Sequence, residues 1–323
     1  MARVLKSELP TSDNSPAVDL LTAPTITAQQ RLLADSSLLL TAILWGINIP
    51  VVKFVTLSVD AFVFNATRMI LSTLVLGGLA LLESRYLRHE AKRCSWFWFV
   101  VFALVSGVFY PLMFMSGIDR TTAGNTALLL SSMPLWTAII SAFFISERLP
   151  KLTWIAMFIA FLGTSIVIMA GGKVSVSAEN FLGNLLILLA AMLWAAGTVI
   201  SGPLLRQMSP LRLAFLASLM ATPIQLVLVS GSLSSQLPKL GEWPNLIGLI
   251  YSGAFSTGVA YATWHVGVRR LGGSHASIYQ NVVTLVAVLG GWIFLGEPRL
   301  TSQLLGGALI IAGLLLMKRK TNR

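Results

Sequence analysis

From Trp96 to Gly117 the chain reads WFWFVVFALVSGVFYPLMFMSG, twenty-two residues without a charge. About twenty helical residues, at ~1.5 Å each, cross a hydrocarbon core of ~30 Å. Runs of this kind recur along the whole chain. Gly, Pro and charge clusters break them into ten predicted helices, at 36–56, 61–82, 96–117, 122–145, 152–171, 181–203, 211–230, 245–267, 274–295 and 301–317. The alternating ten-residue segments of a membrane barrel are absent.

Composition agrees. Apolar residues make up 55% of the chain, charged residues only 11%, and mean hydropathy is +0.80, too few charges to coat a soluble domain of this length. The expected class is therefore an all-α polytopic membrane protein. One cysteine, Cys94, excludes an intrachain disulfide, and the sequence offers no Cys/His metal cluster. Residues 1–32 are polar and rich in Ser, Thr and Pro, without the basic-then-apolar order of a cleaved leader, and read as a flexible cytoplasmic tail.

Lys and Arg set the orientation. With the N-terminus inside, seventeen of the cations fall in tails and loops on the cytoplasmic side, five lie outside, and Arg68 alone lies within a span. Both termini are thus expected in the cytoplasm of a cell whose inner membrane holds the protein. The formal net charge of +11 follows mainly from this bias, with anionic headgroups as its counterpart. No folded basic domain is present, so nucleic acid is not an expected partner.

The segment IFLGEPRL (293–300) echoes FFISERLP (143–150), with Glu297 on Glu147. The same 150-residue shift lays Gly267 on Gly117, Arg270 on Arg120, Ser256 on Ser106 and Gly313 on Gly163. With a one-residue slip, LWAAG (193–197) meets LWGIN (44–48), which puts Trp194 on Trp45. The predicted organisation is a first five-helix repeat at 33–172, a second at 173–318 and a short tail at 319–323. Five crossings are an odd number, so the second copy is inverted. Inverted repeats are typical of secondary transporters, whose substrate site lies near mid-membrane between the halves.

These residues also resemble the drug/metabolite transporter superfamily, and within it the EamA-type exporters. The resemblance covers nearly all the chain after the tail. It rests on LWGINIPVVK (44–53), on Arg68, and on Gly296, Glu297, Gln303 and Gly306. The first half departs from this last pattern with Ser146 and Ala156, and Asp60 stands where many members have proline. The resemblance implies a ten-helix fold around a central cavity and export of small metabolites or amino acids.

Arg68 is the most informative charge. An unpaired cation about two turns inside a span costs at least ~2.5 kcal/mol, so it faces a cavity or a partner. Two readings stand side by side: Arg68 meets an anionic group of the substrate, with Asn48 adding hydrogen bonds, or it ties backbone carbonyls between helices. Glu147 and Glu297, at interhelix junctions, read as caps or a gate pair. Trp45 and Trp194 line an amphipathic cavity or pack between the halves. Tyr110, Ser131, Tyr261, His265, Gln280 and Asn281 complete the candidate substrate-binding set, against the alternative of ordinary interhelix contacts. GGALIIAG (306–313) offers a close-packing face, within the monomer or in a homodimer.

Of His265 and His275, His265 is the better candidate for proton coupling, because histidine titrates near neutrality, but the reading as an imidazole satisfied by a backbone carbonyl is favoured over it. No cofactor or metal is expected. The absence of an HExxH pattern and of paired mid-span aspartates argues against an intramembrane enzyme, and no charge ring marks a channel. The expected function is a secondary transporter of small amino-acid-like or amphipathic solutes, efflux favoured, with a passive facilitator as the alternative.

Overall fold

The structure is a computed structural model and describes residues 27–86, 95–118, 120–121, 126, 129–144, 149–170, 181–294 and 301–320. Among them every regular element is helical. In chain order these are α1 (Ala28–Val55), α2 (Ala61–Tyr86), α3 (Trp96–Leu104), a π segment (Val105–Phe109), α4 (Tyr110–Ile118), α5 (Met133–Phe144), α6 (Lys151–Ala170) and α7 (Phe181–Leu204). The second half continues with α8 (Pro210–Leu228), α9 (Ser230–Leu240), α10 (Trp243–Ile250), a second π segment (Tyr251–Val259), α11 (Ala260–Leu271), α12 (Gly273–Ser277), α13 (Gln280–Phe294) and α14 (Thr301–Lys320). Glu147 and Glu297 lie outside the described residues.

Six helical stretches are long and apolar enough to cross a membrane: Ala28–Val52, Ala61–Arg85, Trp96–Gly117, Phe181–Leu204, Pro210–Leu228 and Trp243–Leu271. Met133–Phe144, Lys151–Ile166 and Leu304–Leu316 are apolar but shorter. Large apolar side chains such as Leu74, Phe97, Phe158, Leu185, Val227 and Leu304 point outward. The small and polar ones crowd the interior. This distribution suits hydrocarbon as the surrounding solvent.

Local chemistry explains several helix starts. Thr27 and Gln30 form a reciprocal capping box on α1, each side chain accepting the other's backbone N–H at 3.2 Å. Asp60 caps α2, its Oδ1 accepting the N–H groups of Phe62 and Val63 at 3.0 Å. A carboxylate at that end also favours the helix dipole, which accounts for aspartate where proline is common in the resembled family. Ser209 caps α8 ahead of Pro210, whose fixed φ suits the first helical turn. At the end of α11, Gly272 sits at φ 83°, a conformation that lets the chain turn at once into α12.

Some expectations need correcting. The first span starts at Ala28 rather than 36, so Asp35 stands inside the helix, where its carboxylate accepts the Tyr279 hydroxyl at 2.5 Å. The predicted 122–145 helix is interrupted by a turn at Ser131 and Ser132, before α5 begins at Met133. The predicted 274–295 helix is likewise split, at Ile278 and Tyr279. An unpredicted helix, α9, fills the link between α8 and α10.

Packing follows a repeated plan. Helix α1 lies against α11 and α13; correspondingly, α7 lies against α4 and α5. Helix α2 packs on the second π segment and α8 on the first, while α2 pairs with α8 and α6 with α14. Exchanging the two halves leaves this set of neighbours unchanged. The two π segments also end at positions 150 residues apart, Phe109 and Val259.

Candidate functional site

At the centre, rings from both halves close on one another. Trp45 on α1 meets Trp194 on α7 edge to face, at 5.2 Å between centroids. Trp45 also meets Tyr261 at 6.1 Å and Trp264 at 5.4 Å, both on α11. Trp194 in turn lies 5.0 Å from Tyr110 of α4, 6.0 Å from Tyr261 and 5.9 Å from Trp264. Each such pair contributes about 0.5–1.5 kcal/mol beyond its buried area. Tyr261, Trp264 and His265 fall at i, i+3 and i+4 on one helix face, so α11 delivers all three to the same place.

Beside this cluster lies a small cavity of about 40 Å³. Trp194, Tyr261, Trp264 and His265 line it, together with Ser106, Thr198 and Ser218 and a floor of small and apolar residues. Both halves contribute walls. Two buried polar atoms of its lining, Trp194 Nε1 and His265 Nδ1, have no hydrogen-bond partner. Trp194 is 8% exposed and His265 6% exposed, so bulk water does not satisfy them. An unpaired buried polar atom costs about 1–3 kcal/mol. Groups of this kind await complementary atoms.

Behind the cavity wall runs a polar ladder. Arg68 donates from Nε and Nη2 to Asn65 Oδ1 at 3.0 and 2.7 Å, and from Nη1 to Ser252 Oγ at 3.3 Å. Asn65 Nδ2 donates to Gln225 Oε1 at 2.7 Å, and Gln225 Nε2 donates to the Gly107 carbonyl at 2.7 Å. The ladder thus links α2 and α8 to both π segments, and Gly107 itself lines the cavity. Thr73 bonds Ser218 and Thr222 at 2.6 and 2.9 Å one turn farther along α2. The guanidinium also lies 5.9 Å over the Phe64 ring. Three of its five N–H groups are engaged.

The π segments merit their position. A π turn inserts an extra residue into an α-helix and frees carbonyls from the regular ladder. Gln225 uses one of these carbonyls, at Gly107. Trp45 uses another, its Nε1 donating to the Ser256 carbonyl at 2.9 Å. Gly197 makes close approach possible on the other side: a Cβ there would fall 2.1 Å from Ser106 Oγ.

The candidates named from the sequence therefore divide. Trp45, Tyr110, Trp194, Tyr261 and His265 come together at the cavity and its ring cluster, and Arg68 stands directly behind. Asn48, Ser131, Gln280 and Asn281 are not part of the cavity lining. Asn281 accepts a hydrogen bond from Thr164 at 2.9 Å and so joins α13 to α6. Asn48 Oδ1 and Gln280 Nε2 are buried without a partner. Sequence reasoning missed Asn65, Gln225, Ser218, Ser252 and Trp264. The amide residues Asn65 and Gln225, each within an apolar run, were the available signal.

Comparison with known proteins agrees with this architecture. The model of the EamA-like transporter family matches twice, at residues 32–169 and 181–319. An uncharacterized transporter of Archaeoglobus fulgidus is 24% identical over 288 residues, covering 88% of this chain and 98% of that protein. A probable terminal-alkyne amino-acid exporter of Streptantibioticus cattleyicolor is 24% identical over 216 residues, 66% of this chain and 69% of its own. A solved crystal structure superposes with a TM-score of 0.70 at 20% identity, over 90% of this chain and 98% of the other, which is a likeness of fold. With family matches over most of its length, the chain belongs to the EamA-like transporter family and is a multi-pass membrane protein.

Proposed function

We propose that the chain is a secondary transporter that moves small amphipathic solutes, amino-acid-like and outward by preference, through alternating access. Ten crossings form two inverted five-helix halves, with both termini on the cytoplasmic side of the inner membrane. The exchangeable packing plan and the twice-matching family model support the duplication. The odd number of crossings supplies the inversion. Two equivalent halves of opposite orientation then open one shared cavity first to one side and then to the other.

The observation that carries this reading is the cavity itself: an aromatic wall built from both halves around two unpartnered buried polar atoms, Trp194 Nε1 and His265 Nδ1. Rings hold an apolar side chain, and the two nitrogens suit the polar end of the same small molecule. The cation Arg68, pinned behind the wall, adds a positive potential that favours a carboxylate. The exporter among the relatives supports an amino-acid-like cargo.

Counterflow in proteoliposomes tests the function. Vesicles preloaded with unlabelled amino acids are expected to accumulate the labelled species above its outside concentration. Simple equilibration, without overshoot, points to a passive channel. Arg120→Cys and Arg270→Cys, each in a Cys94→Ser background, test the inversion with an impermeant maleimide. They are expected to react from opposite sides of the membrane; reaction from one side removes the antisymmetry.

A further inference from the structure

Trp45 and Trp194 occupy corresponding positions in the two halves, as do Ser256 and Ser106. Yet only one of the two possible cross-half bonds is made. Trp45 Nε1 donates to the Ser256 carbonyl at 2.9 Å, reaching from α1 into the second π segment. The corresponding bond would run from Trp194 Nε1, on α7, to the Ser106 carbonyl in the first π segment. That donor is buried and has no partner, although Trp194 and Ser106 line the same cavity.

The surrounding contacts make this difference local. α1 meets the second π segment and α7 meets the first, so the packing is balanced while the bonding is not. Both π segments stop at equivalent residues, which puts Ser106 and Ser256 at like positions in like distortions. Gly197, one turn beyond Trp194, holds α7 against Ser106 with no room for a Cβ. The unmade bond therefore has its donor and its acceptor segment side by side.

We propose that Trp45 and Trp194 are the two arms of a reciprocal latch that selects between the two access states; this rests on the alternating-access reading above. In the state described, the Trp45 arm is fastened. The end of the bundle holding Leu38, Ala42, Phe102, Ala276 and Tyr279 is packed tight. In the exchanged state the Trp194 arm fastens on the Ser106 carbonyl, the Trp45 arm releases, and that end opens. One indole N–H faces the cavity in each state, so a cargo acceptor meets a donor on either side. Symmetry demands no less, because equivalent halves trade their roles.

The test replaces each tryptophan with 3-benzothienylalanine, which keeps the ring shape and lacks the N–H. The reporter is Ala276→Cys in a Cys94→Ser background, buried in the state described. Labelling with N-ethylmaleimide is followed in detergent and in vesicles, with size-exclusion profiles confirming that each variant is folded. Loss of one net hydrogen bond predicts a shift of roughly five-fold in the state ratio. The analogue at Trp45 is expected to speed labelling of the Ala276 reporter by about that factor. The analogue at Trp194 is expected to slow it, and the double replacement to return the rate toward the parent.

Equal effects at the two tryptophans, or none, overturn the latch. Trp45→Phe and Trp194→Phe give the same reading with natural residues, so poor incorporation of the analogue does not decide the result. Alternating access itself fails in a different way. If labelling of the Ala276 reporter in the parent is the same whichever side amino acids are added to, the halves do not exchange, whatever the tryptophans do.

Discussion

The α6–α14 pair and the ring-lined centre are built from opposite materials. Between α6 and α14 there is almost no side chain: a Cβ on Gly163 would fall 2.5 Å from the Gly306 carbonyl, and one on Gly313 2.7 Å from the Ala156 carbonyl. Backbones touch, and dispersion acts over a broad area. At the centre, large rings, a guanidinium ladder and two unpartnered nitrogens replace that smooth contact. The periphery is complete as it stands. The centre is left unfinished, with two buried nitrogens unsatisfied in the state described. The difference separates what holds the protein together from what it works with, and each side of it can be tried by substitution.

The largest effect is expected at the periphery. Gly163→Leu forces a side chain into a backbone, and overpacking of this kind costs about 1–3 kcal/mol or more. Folded yield by fluorescence-detected size exclusion is expected to fall several-fold, with Gly313→Leu behaving alike. Normal yields would mean that the pair is less tightly bound than its geometry implies. Next comes Arg68→Gln, with transport expected to drop at least ten-fold while yield holds. Arg68→Lys then separates two roles. Retained transport assigns the effect to charge; lost transport assigns it to the bonds with Asn65 and Ser252.

A smaller effect is expected at His265→Leu. It removes an unpartnered buried atom, so thermal stability should rise or hold, while apparent affinity for cargo weakens roughly five-fold. A fall in both would make His265 a packing residue and blur the contrast between centre and periphery. Thr164→Val is the mildest case. Loss of the bond to Asn281 is expected to lower stability by about 1 kcal/mol and leave KM unchanged. A changed KM there would extend the working region out to α6.

The sequence displayed the apolar runs, and with them the positions of the long helices, because hydrocarbon selects residues by simple polarity. It also displayed Trp45 opposite Trp194, and it named four of the central rings and the imidazole, since a duplicated chain carries its own internal ruler. Other features left no such mark. SGSLSSQLPKL is too polar for a span and too short to reveal a helical period, so α9 was invisible. Asp35 looked terminal because the capping box at Thr27 and Gln30, which extends α1 by two turns, lies among polar residues. The bond between Asn65 and Gln225 joins positions 160 residues apart, and no local pattern announces such a partner. Nor does periodicity over five or nine residues distinguish π from α winding.

That winding has a further consequence. A single residue more or less turns everything downstream on a helix by about 100°. Tyr261, Trp264 and His265 are therefore clocked toward the centre by the stretch Tyr251–Val259, not by their own neighbours. Deleting Thr257 alone would swing that trio a quarter-turn around the helix axis, off the cavity, while every one of its side chains stayed in the protein. In such a chain, an insertion or deletion far from any loop becomes a way to retire one binding pocket and expose the residues for another.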